Sequence, residues 1–473
     1  MQFKQRRDGQ AEQAEVRPKH LHGMGHMLTK VCSIGMILSL LMVALAACGG
    51  SGNNSGNGQV VHLTYALWDA NQQPAYQKSI DEFMKLHPNI KVTIEQNPWT
   101  QYWQKLSTQI AARNAPDVFW DHVSEVSQLV GEGALMNISP LIQQDKLDLS
   151  VYYPQLLKPY QYQGNYYGLP KDWDTITLFY NKDLIQKAGI DINNLNWNPT
   201  DGGTFLQALQ KLTVDKNGLH PTQAGFNAQS VSQYGFVSLN SNQEIYLNYI
   251  AMNGGSFLDK PYGTQFQFNQ PPAVQALQFL VDLNNKYHVS PPASETNAGG
   301  NIAEQLFGRG QAAIIETGSW NLSAVASQTN FAWGVAQLPA GPKGRISVFN
   351  GLSDAISATT KHPQEAWELF KWLASPQSET MIGSLGTVWP GVQSADAGFQ
   401  AYWEKKGIDV SPFLTEAQGT TVSYPITSGF DEANTQITDI FNQMYLGQIS
   451  VQQACDNAVQ QGNAALQSAA SGS

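Results

Sequence analysis

The stretch GNYYGLPKDWDTITLFYNKDLIQKAG, residues 164–189, contains in order a turn, a strand and a capped helix. The apolar run 176–180 is rich in β-forming residues and bounded by polar ones, which predicts a strand. Asn181 is a suitable N-cap for a short helix, and Gly189 suits the left-handed stop. Between turn and strand, the sequence Lys-Asp-Trp-Asp at 171–174 places a carboxylate on either side of an indole. A flat ring face with flanking acceptors suits a sugar, whose C–H face stacks while its hydroxyls donate.

This stretch resembles the hallmark of the family 1 extracellular solute-binding proteins, the group of the maltose-binding protein of ABC importers. The family's YGLP, LYYNKDL and AG segments are matched by residues 167–170, 178–184 and 188–189. Two further family segments are matched by residues 303–320 and 333–344. The resemblance implies an α/β fold of the two-lobed periplasmic-binding-protein class, type II. Each lobe would be a mostly parallel sheet flanked by helices, and several backbone crossovers would form the hinge.

The 473 residues are too many for a single hydrophobic core, so two lobes are expected. Guided by the resemblance, we predict a first lobe of residues 60–171 plus 349–389 and a second of residues 172–348 plus 390–470. Charged residues make up only 14% of the chain, which nevertheless contains 12 Trp and 18 Tyr. This composition favours a ligand that stacks on aromatic rings, although most of these rings are expected in the core.

The N-terminal residues predict export and lipid anchoring. Basic residues in 1–30 precede the apolar run 31–47, which ends in the lipobox Leu-Ala-Ala-Cys at 45–48. Residues 1–47 therefore predict a signal peptide with an atypical N-terminal extension. Cys48 is the expected lipidation site, and residues 48–59 form a flexible Gly/Ser/Asn tether. The expected location is extracytoplasmic, anchored by lipid to the cell membrane, either in a periplasm or on the outer face of a single membrane. An uncleaved anchor is disfavoured because the apolar run is short for a spanning helix.

The charge balance and the cysteines exclude several classes of function. Removing residues 1–47 takes away six basic and three acidic side chains, which leaves 21 basic against 34 acidic and a balance of −13. Such a chain disfavours nucleic acid and a polybasic membrane-binding surface. With Cys32 lost and Cys48 lipidated, Cys455 has no disulfide partner. The sequence contains no HExxH pair, P-loop, Rossmann or G-x-S-x-G motif, and residues 215–218 lack the later ligands of a calcium loop. We therefore expect no metal and no cofactor.

Strands and helices alternate in residues 60–120, which predicts a parallel sheet with right-handed crossovers. The predicted strands are 60–67, 90–95 and 114–120, and the predicted helices are 73–86 and 99–112. The ends of the first and third strands would share the edge at which such sheets bind ligands. Trp68, Asp69 and Asp121 are therefore candidate ligand contacts, although Asp121 could instead cap the following helix. Tyr102 and Trp99, at the head of the second helix, are further candidates.

The predicted crossings between the lobes supply the remaining candidates. The resemblance implies that Trp320, the aromatic of the family's G-x-W segment, stacks on a pyranose ring. Asp172, Trp173 and Asp174 would face the cleft if the first crossing falls there, and would otherwise form a surface turn. The candidates at the later crossings and beyond are Asn350 and Gly351, Trp389, and Phe430, which lies where relatives often carry a stacking aromatic.

The resemblance implies a monomeric binding protein, not an enzyme, that delivers a carbohydrate to the transmembrane permease subunits of an ABC importer. An oligosaccharide is expected, bridging the two lobes and shifting the equilibrium towards a closed form. One alternative keeps the fold and exchanges the ligand for a polyamine, held by Asp69, Asp121, Asp172 and Asp174, or for another non-sugar solute. A less favoured alternative is a secreted glycoside hydrolase using Asp172 and Asp174. Two residues i and i+2 on one loop rarely straddle a glycosidic bond as hydrolysis requires.

Overall fold

The computed structural model describes residues 60–260, 263–297 and 300–472. The predicted signal peptide, Cys48 and the tether lie outside the described residues. The strands are β1 (Val61–Leu67), β2 (Ile90–Gln96), β3 (Val118–His122), β4 (Gln161–Tyr162), β5 (Asn165–Tyr166), β6 (Gly168–Thr175), β7 (Thr177–Asn181), β8 (Val214–Asp215), β9 (Val231–Gln233), β10 (Ile314–Thr317), β11 (Trp333–Ala336), β12 (Ile346–Ile356) and β13 (Thr420–Ser423).

The α-helices are α1 (Gln73–Leu86), α2 (Trp99–Ala111), α3 (Val126–Gly131), α4 (Ser139–Asp145), α5 (Pro154–Leu157), α6 (Lys182–Lys187), α7 (Gly203–Leu212), α8 (Leu247–Met252), α9 (Pro271–Asn285), α10 (Ala293–Thr296), α11 (Ile302–Gly308), α12 (Leu322–Gln328), α13 (Pro363–Leu373), α14 (Pro376–Gly383), α15 (Asp396–Glu404), α16 (Ser411–Gln418), α17 (Phe430–Tyr445) and α18 (Val451–Gly472). A π-helix, Asn242–Tyr246, leads into α8. In the described part of the chain, no helix combines the length and the apolar character needed to cross a bilayer.

The stretch around Asn181 folds as the sequence predicts. β7 ends at Asn181, whose side chain accepts hydrogen bonds from the backbone N–H groups of Asp183 and Leu184, both at 3.1 Å. These bonds satisfy donors that the first turn of α6 would otherwise leave without partners. Gly189 follows the helix at φ 62°, a left-handed conformation that glycine adopts without steric cost.

The larger sheet follows the order β13-β12-β3-β1-β2, and β6 also pairs with β12. β1 runs parallel to β2 and β3, as the alternation of strands and helices predicts. The long strand β12 changes its partner along its length: residues 346–349 pair with β13, and residues 352–356 pair with β3. On that edge of β12, Asn350 and Gly351 pair with neither β13 nor β3, so a gap in the sheet lies beside them.

β6 borders the other side of β12 and contains a β-bulge. Leu352 pairs with Asp172, whereas Ser353 pairs with Pro170, so Lys171 is the extra residue of the bulge. The chain near Pro390 adds a third segment, because Trp173 donates its backbone N–H to the carbonyl of Trp389 at 3.1 Å.

The second sheet has the order β10-β7-β11. Its central strand β7 runs antiparallel to both neighbours. This antiparallel sheet differs from the mostly parallel sheet expected for each lobe, because β10 and β11 both run in the direction opposite to β7.

The described residues form three hydrophobic cores, and the second sheet contributes side chains to two of them. The core on the parallel strands of the larger sheet draws its buried side chains from residues 63–169 and 352–392. A second core centres on α7, α8, α9, α17 and α18, and a third lies between β7, β11 and α16. The predicted lobe boundaries remain a prediction, and the composition of the first core supports them.

Candidate functional site

A cavity of about 210 Å³ lies where β12 changes partner. Its lining combines three indoles, three carboxylates, three amides and one imidazole, with the remaining residues apolar or glycine. The lining residues are Trp68, Asp69, Gln72, Trp99, His122, Asp172, Asp174, Gln243, Trp320, Asn350, Gly351, Leu352 and Val388. No lysine or arginine lines this cavity within the described part of the chain.

The structure brings together most of the residues that the sequence singles out. The predicted contacts that line the cavity are Trp68, Asp69, Trp99, Asp172, Asp174, Trp320, Asn350 and Gly351. They come from the end of β1, from the start of α2, from β6, from β12 and from the turn after β10. These segments are far apart in the chain, and their meeting at one opening is what makes the cavity a candidate binding site. The role of each residue as a ligand contact remains a prediction.

Asp121 does not line the cavity, because β3 is longer than the sequence predicts. The strand runs to His122, so successive side chains alternate across the sheet and His122 takes the position expected of Asp121. Asp121 is 1% exposed, and burial raises the pKa of its carboxyl well above the usual range. The prediction placed the end of the strand two residues too early.

Trp173 and Trp389 lie in the hydrophobic core and not in the cavity lining, contrary to the position expected of them. Trp173 lies between two residues of β6 that face the cavity, so its side chain points the opposite way. Its ring centroid lies 5.0 Å from that of Trp389 and 5.8 Å from that of Phe349. Trp389 is buried and donates its indole N–H to Asp396 at 2.9 Å.

Tyr102 and Phe430 also lie outside the cavity lining. Tyr102 packs edge-on behind Trp68, with ring centroids 5.2 Å apart, and donates its hydroxyl to the carbonyl of Trp120 at 2.6 Å. Phe430 begins α17 and packs against Tyr424 in the second core. Tyr102 therefore supports a lining residue without reaching the cavity itself.

Three further residues line the cavity although the sequence alone does not indicate them: Gln72, His122 and Gln243. Gln72 immediately precedes α1, and His122 ends β3, so a correct strand end would have indicated His122. Gln243 lies on the π-helix, which has no periodic signature in the sequence. Leu352 and Val388 complete the apolar part of the lining.

The three indoles leave ring surface available to a ligand. Trp68 and Trp99 contact each other edge to face, with centroids 4.9 Å apart, and Trp99 is 44% exposed. Trp320 lies on the turn after β10 and folds over Gly318, where an added Cβ would come within 1.8 Å of the indole. Glycine at this position is what allows the ring of Trp320 to lie there.

Asp174 connects β6 to the turn that carries Trp320. One of its carboxylate oxygens accepts the backbone N–H of Ser319 at 2.7 Å. Burial raises the pKa of Asp174 well above its usual range, while the bond from Ser319 opposes that rise. The side chain thus both lines the cavity and holds the turn beside it.

Asp172 is paired with a buried lysine. Lys171 forms a 2.5 Å ion pair with one oxygen of Asp172, and the backbone N–H of Leu352 donates to the other at 3.2 Å. The ammonium group of Lys171 lies 3.8 Å from the ring of Trp120, inside the core and outside the cavity lining. Burial still raises the pKa of Asp172, against the lowering effect of Lys171.

A chain of hydrogen bonds orients the amide of Asn350. The Ser124 hydroxyl donates to Glu125 at 2.7 Å and lies 2.7 Å from Nδ1 of His122. Nε2 of His122 lies 3.1 Å from the amide nitrogen of Asn350, within hydrogen-bond distance. Burial lowers the pKa of His122 to about 3, so the ring is neutral. This arrangement leaves Oδ1 of Asn350 buried and without a hydrogen-bond partner among the described residues.

Gln72 presents a second acceptor of the same kind. Its amide nitrogen donates to Asp69 at 3.0 Å, while Oε1 is buried without a partner in the described structure. A buried polar atom without a partner costs about 1–3 kcal/mol. A ligand that donates hydrogen bonds to Gln72 and Asn350 would remove that cost. Acceptors of this kind suit a ligand that carries hydroxyl or amine donors.

Two of the three lining carboxylates come from the same strand. Asp172 and Asp174 are two residues apart on β6 and lie on the same wall of the cavity. Within residues 60–260, 263–297 and 300–472, no three His, Cys, Asp or Glu side chains are grouped to hold a metal ion. The arrangement is suited to binding.

Raising the pH from about 5 to about 8 is expected to destabilise the ligand-free protein. Burial raises the pKa of Glu125, Asp354 and Glu416 to about 7. Carboxyls in the unfolded chain titrate near pH 4, so between roughly pH 4 and 8 the folded state binds more protons and loses stability as the pH rises. Melting temperatures across this range measure the effect. Asp354→Asn should flatten the slope, and a melting temperature that rises with pH would contradict the expectation.

Comparisons with known proteins identify the class. Residues 69–380 match the family model of bacterial extracellular solute-binding proteins, and the chain belongs to this family. The galactooligosaccharide-binding protein of Bacillus subtilis (strain 168) is 26% identical over 362 residues, which cover 74% of this chain and 78% of that protein.

Solved structures show the same fold. The crystal structure of UspC from M. tuberculosis is 34% identical, has a TM-score of 0.69 and covers 86% of this chain and 100% of its own. An ABC substrate-binding protein from Listeria monocytogenes, in complex with cycloalternan, is 23% identical, has a TM-score of 0.75 and covers 85% and 98% of the two chains. The predicted α/β, two-lobed periplasmic-binding-protein fold is confirmed.

Proposed function

We propose that this protein captures a carbohydrate, specifically an oligosaccharide, in the cavity beside β12 and delivers it to the permease of an ABC importer. The observation that carries the proposal is the pair of buried acceptors without partners, Oε1 of Gln72 and Oδ1 of Asn350, which lie among three indoles. Sugar hydroxyls donate to such acceptors, while the C–H faces of the sugar ring pack on indole surfaces. The name of the B. subtilis relative supports this ligand class.

The arrangement of the hinge supports capture by closure. β6, β12 and the segment near Pro390 run side by side past the cavity, and the lining side chains come from both sheets and their cores. A ligand that contacts Trp68 and Asp69 on one side and Trp320 and Gln243 on the other favours the conformation in which both sets are close. The permease would then distinguish the closed form from the open one.

We extend the proposal to the location of the protein. The family is extracellular, and the sequence Leu-Ala-Ala-Cys at 45–48 supports cleavage and lipidation at Cys48. The protein would act as a monomer tethered to the outer face of the membrane through residues 48–59. Partition of the native protein into the aqueous phase of a detergent phase separation would contradict the anchor.

A thermal-shift screen tests the ligand class. Maltotriose, mannotriose, a galacto-oligosaccharide and an arabino-oligosaccharide are the probes, and at least one is expected to raise the melting temperature. At a free concentration about a hundredfold above Kd, binding adds about 2.7 kcal/mol to the free energy of unfolding. Isothermal titration calorimetry then gives Kd for the best probe.

Two control arms separate the proposal from its alternatives. Spermidine tests a polyamine ligand, which the three lining carboxylates and the absence of a lining lysine or arginine among the described residues would suit. A shift with spermidine and with none of the sugars would replace the carbohydrate proposal. Chromatography of each sugar after incubation should recover it unchanged, whereas cleavage products would point to a hydrolase.

A further inference from the structure

Gln243 and Trp320 reach the cavity from two adjoining short turns. Gln243 is the second residue of the π-helix Asn242–Tyr246, and Trp320 is the middle residue of the 3₁₀ turn Ser319–Asn321. Turns of the π type are rare and occur frequently at functional sites. The side-chain amide of Gln243 makes no hydrogen bond within the described residues, so it is available to a ligand. Contacts between the two turns determine their relative position.

A cluster of polar side chains joins the two turns, and we define the Glu244 cluster as Ser241, Glu244, Glu304, Thr317 and Asn321. The Thr317 hydroxyl donates to Oε1 of Glu244 at 2.9 Å, and the Ser241 hydroxyl donates to Oε2 at 3.1 Å. The amide nitrogen of Asn321 donates to Thr317 at 2.8 Å and to Glu304 at 2.6 Å. A continuous path of hydrogen bonds therefore runs from the neighbour of Gln243 to the neighbour of Trp320.

Three members of the cluster lie in the core, whereas Ser241 and Glu244 are partly buried at its edge. Thr317 is fully buried, and Glu304 and Asn321 are also buried. The side-chain donors to Glu244 and Glu304 are Ser241, Thr317 and Asn321, all of which are uncharged. In such an environment hydrogen bonds are strengthened, and a polar group that loses its partner is costly.

A second buried amide, that of Asn248, ties the π-helix to β12. The Asn248 side chain donates to the carbonyl oxygens of Gln243 at 2.9 Å and of Glu244 at 3.0 Å. Its own oxygen accepts the backbone N–H of Val348, on β12, at 2.7 Å. The backbone of the π-helix is thus held from the β12 side, and only its link to the turn of Trp320 depends on Glu244.

We propose that Glu244 is a positioning residue for ligand binding, because its carboxyl group joins the turn that carries Trp320 to the turn that carries Gln243. The proposal rests on the proposed function, in which both side chains contact the carbohydrate. Glu244 does not line the cavity, and it acts by fixing the separation of two residues that do. Without this link, the separation of the two turns would be fixed less tightly before the ligand binds, at a cost in affinity.

The charges around Glu244 make the link sensitive to pH. Burial, together with the negative charge of Glu304, raises the pKa of Glu244 to about 8. Glu316 is the other acidic group that interacts with Glu244, and Tyr249 donates to Glu316 at 2.7 Å. Below about pH 8 Glu244 is neutral. Above that pH Glu244 carries a negative charge beside two further carboxyl groups, those of Glu304 and Glu316, and this charge opposes the closely packed cluster.

The test compares Glu244→Gln, Glu244→Leu and the exposed control Glu295→Gln, using as probe the oligosaccharide of the screen that binds the native protein most tightly. At pH 6.5, Glu244→Gln is expected to keep Kd within about threefold, because glutamine retains both an acceptor and a donor. Glu244→Leu is expected to weaken binding by about tenfold, which corresponds to one buried hydrogen-bonded link. Native Kd should rise between pH 7 and 9, whereas Glu244→Gln should show no such rise.

Hydrogen exchange without ligand separates this inference from the proposed function. Peptides covering residues 242–246 and 317–322 should exchange faster in Glu244→Leu than in the native protein, and at the native rate in Glu295→Gln. If the native protein binds no sugar of the panel, the proposed function fails, while the exchange result still decides whether Glu244 orders the two turns. Unchanged exchange in Glu244→Leu, or an identical pH dependence of Kd in the native protein and Glu244→Gln, would overturn the inference. A Glu244→Leu variant that does not fold leaves the Glu244→Gln pH profile as the deciding measurement.

Discussion

Replacing Trp320 with alanine is expected to weaken oligosaccharide binding by about ten- to a hundredfold. The indole lines the cavity and is held over Gly318 with ring surface exposed to it. Burying a large apolar side chain contributes about 1.5–3 kcal/mol, and about 1.4 kcal/mol corresponds to a factor of ten in Kd. Isothermal titration calorimetry with the best sugar of the screen measures the change.

Trp320→Phe is the matched variant, because it keeps an aromatic face and should lose only part of the affinity. The melting temperature of ligand-free Trp320→Ala should stay close to the native value, since the side chain is only partly buried. A Kd within twofold of the native one in Trp320→Ala would show that this indole does not contact the sugar. The cavity would then need another stacking residue, and Trp99, which is 44% exposed, would be the next to test.

Replacing Trp173 with alanine is expected to have the opposite signature, a large loss of stability with little change in affinity. Trp173 is 1% exposed and packs between Phe349 and Trp389. Truncating a buried tryptophan to alanine costs about 3–5 kcal/mol, because transfer energy is lost and a cavity remains. Urea denaturation of the ligand-free protein measures the loss, and calorimetry well below the melting temperature measures Kd.

Trp173→Phe should recover part of the lost stability and serves as the control. Together, the alanine variants of Trp320 and Trp173 also test the position of β6 relative to the cavity. A stable Trp173→Ala variant that no longer binds sugar would mean that Trp173 faces the ligand, contrary to the structure. A destabilised variant that binds normally would agree with the packing described above.

Local signals in the sequence predicted much of the secondary structure, because helix bounds, caps and stops depend on neighbouring residues. α1 has the predicted bounds, and Asn181 and Gly189 act as the predicted cap and stop. Among the segments that meet at the cavity, the end of β1 was predicted because the ends of parallel strands share one edge of a sheet. The contributions of β6, β12 and the turn of Trp320 were implied by the family resemblance. What the sequence did not specify is where β3 ends. Because the strand continues to His122, Asp121 is a buried residue within it, and the adjacent His122 lines the cavity.

Other features depend on contacts that no local pattern contains. Gln243 reaches the cavity only because the chain makes a π-helix, whose carbonyl groups are satisfied by the distant side chain of Asn248. The antiparallel direction of β10 and β11 depends on how long segments return to β7. An apolar run such as β10 has the same composition in either direction, so its orientation cannot be predicted from the run itself.

The bulge at Lys171 has a consequence for how related chains should be aligned. Since Pro170 and Asp172 already pair with adjacent residues of β12, a relative that lacks the residue at 171 would keep both of its neighbours in register. A one-residue gap at 171 is therefore neutral for the identity of the side chains that meet the ligand. A one-residue deletion within residues 172–175 would instead shift the alternation of the strand by one position, so different side chains of that homologue would face the cavity.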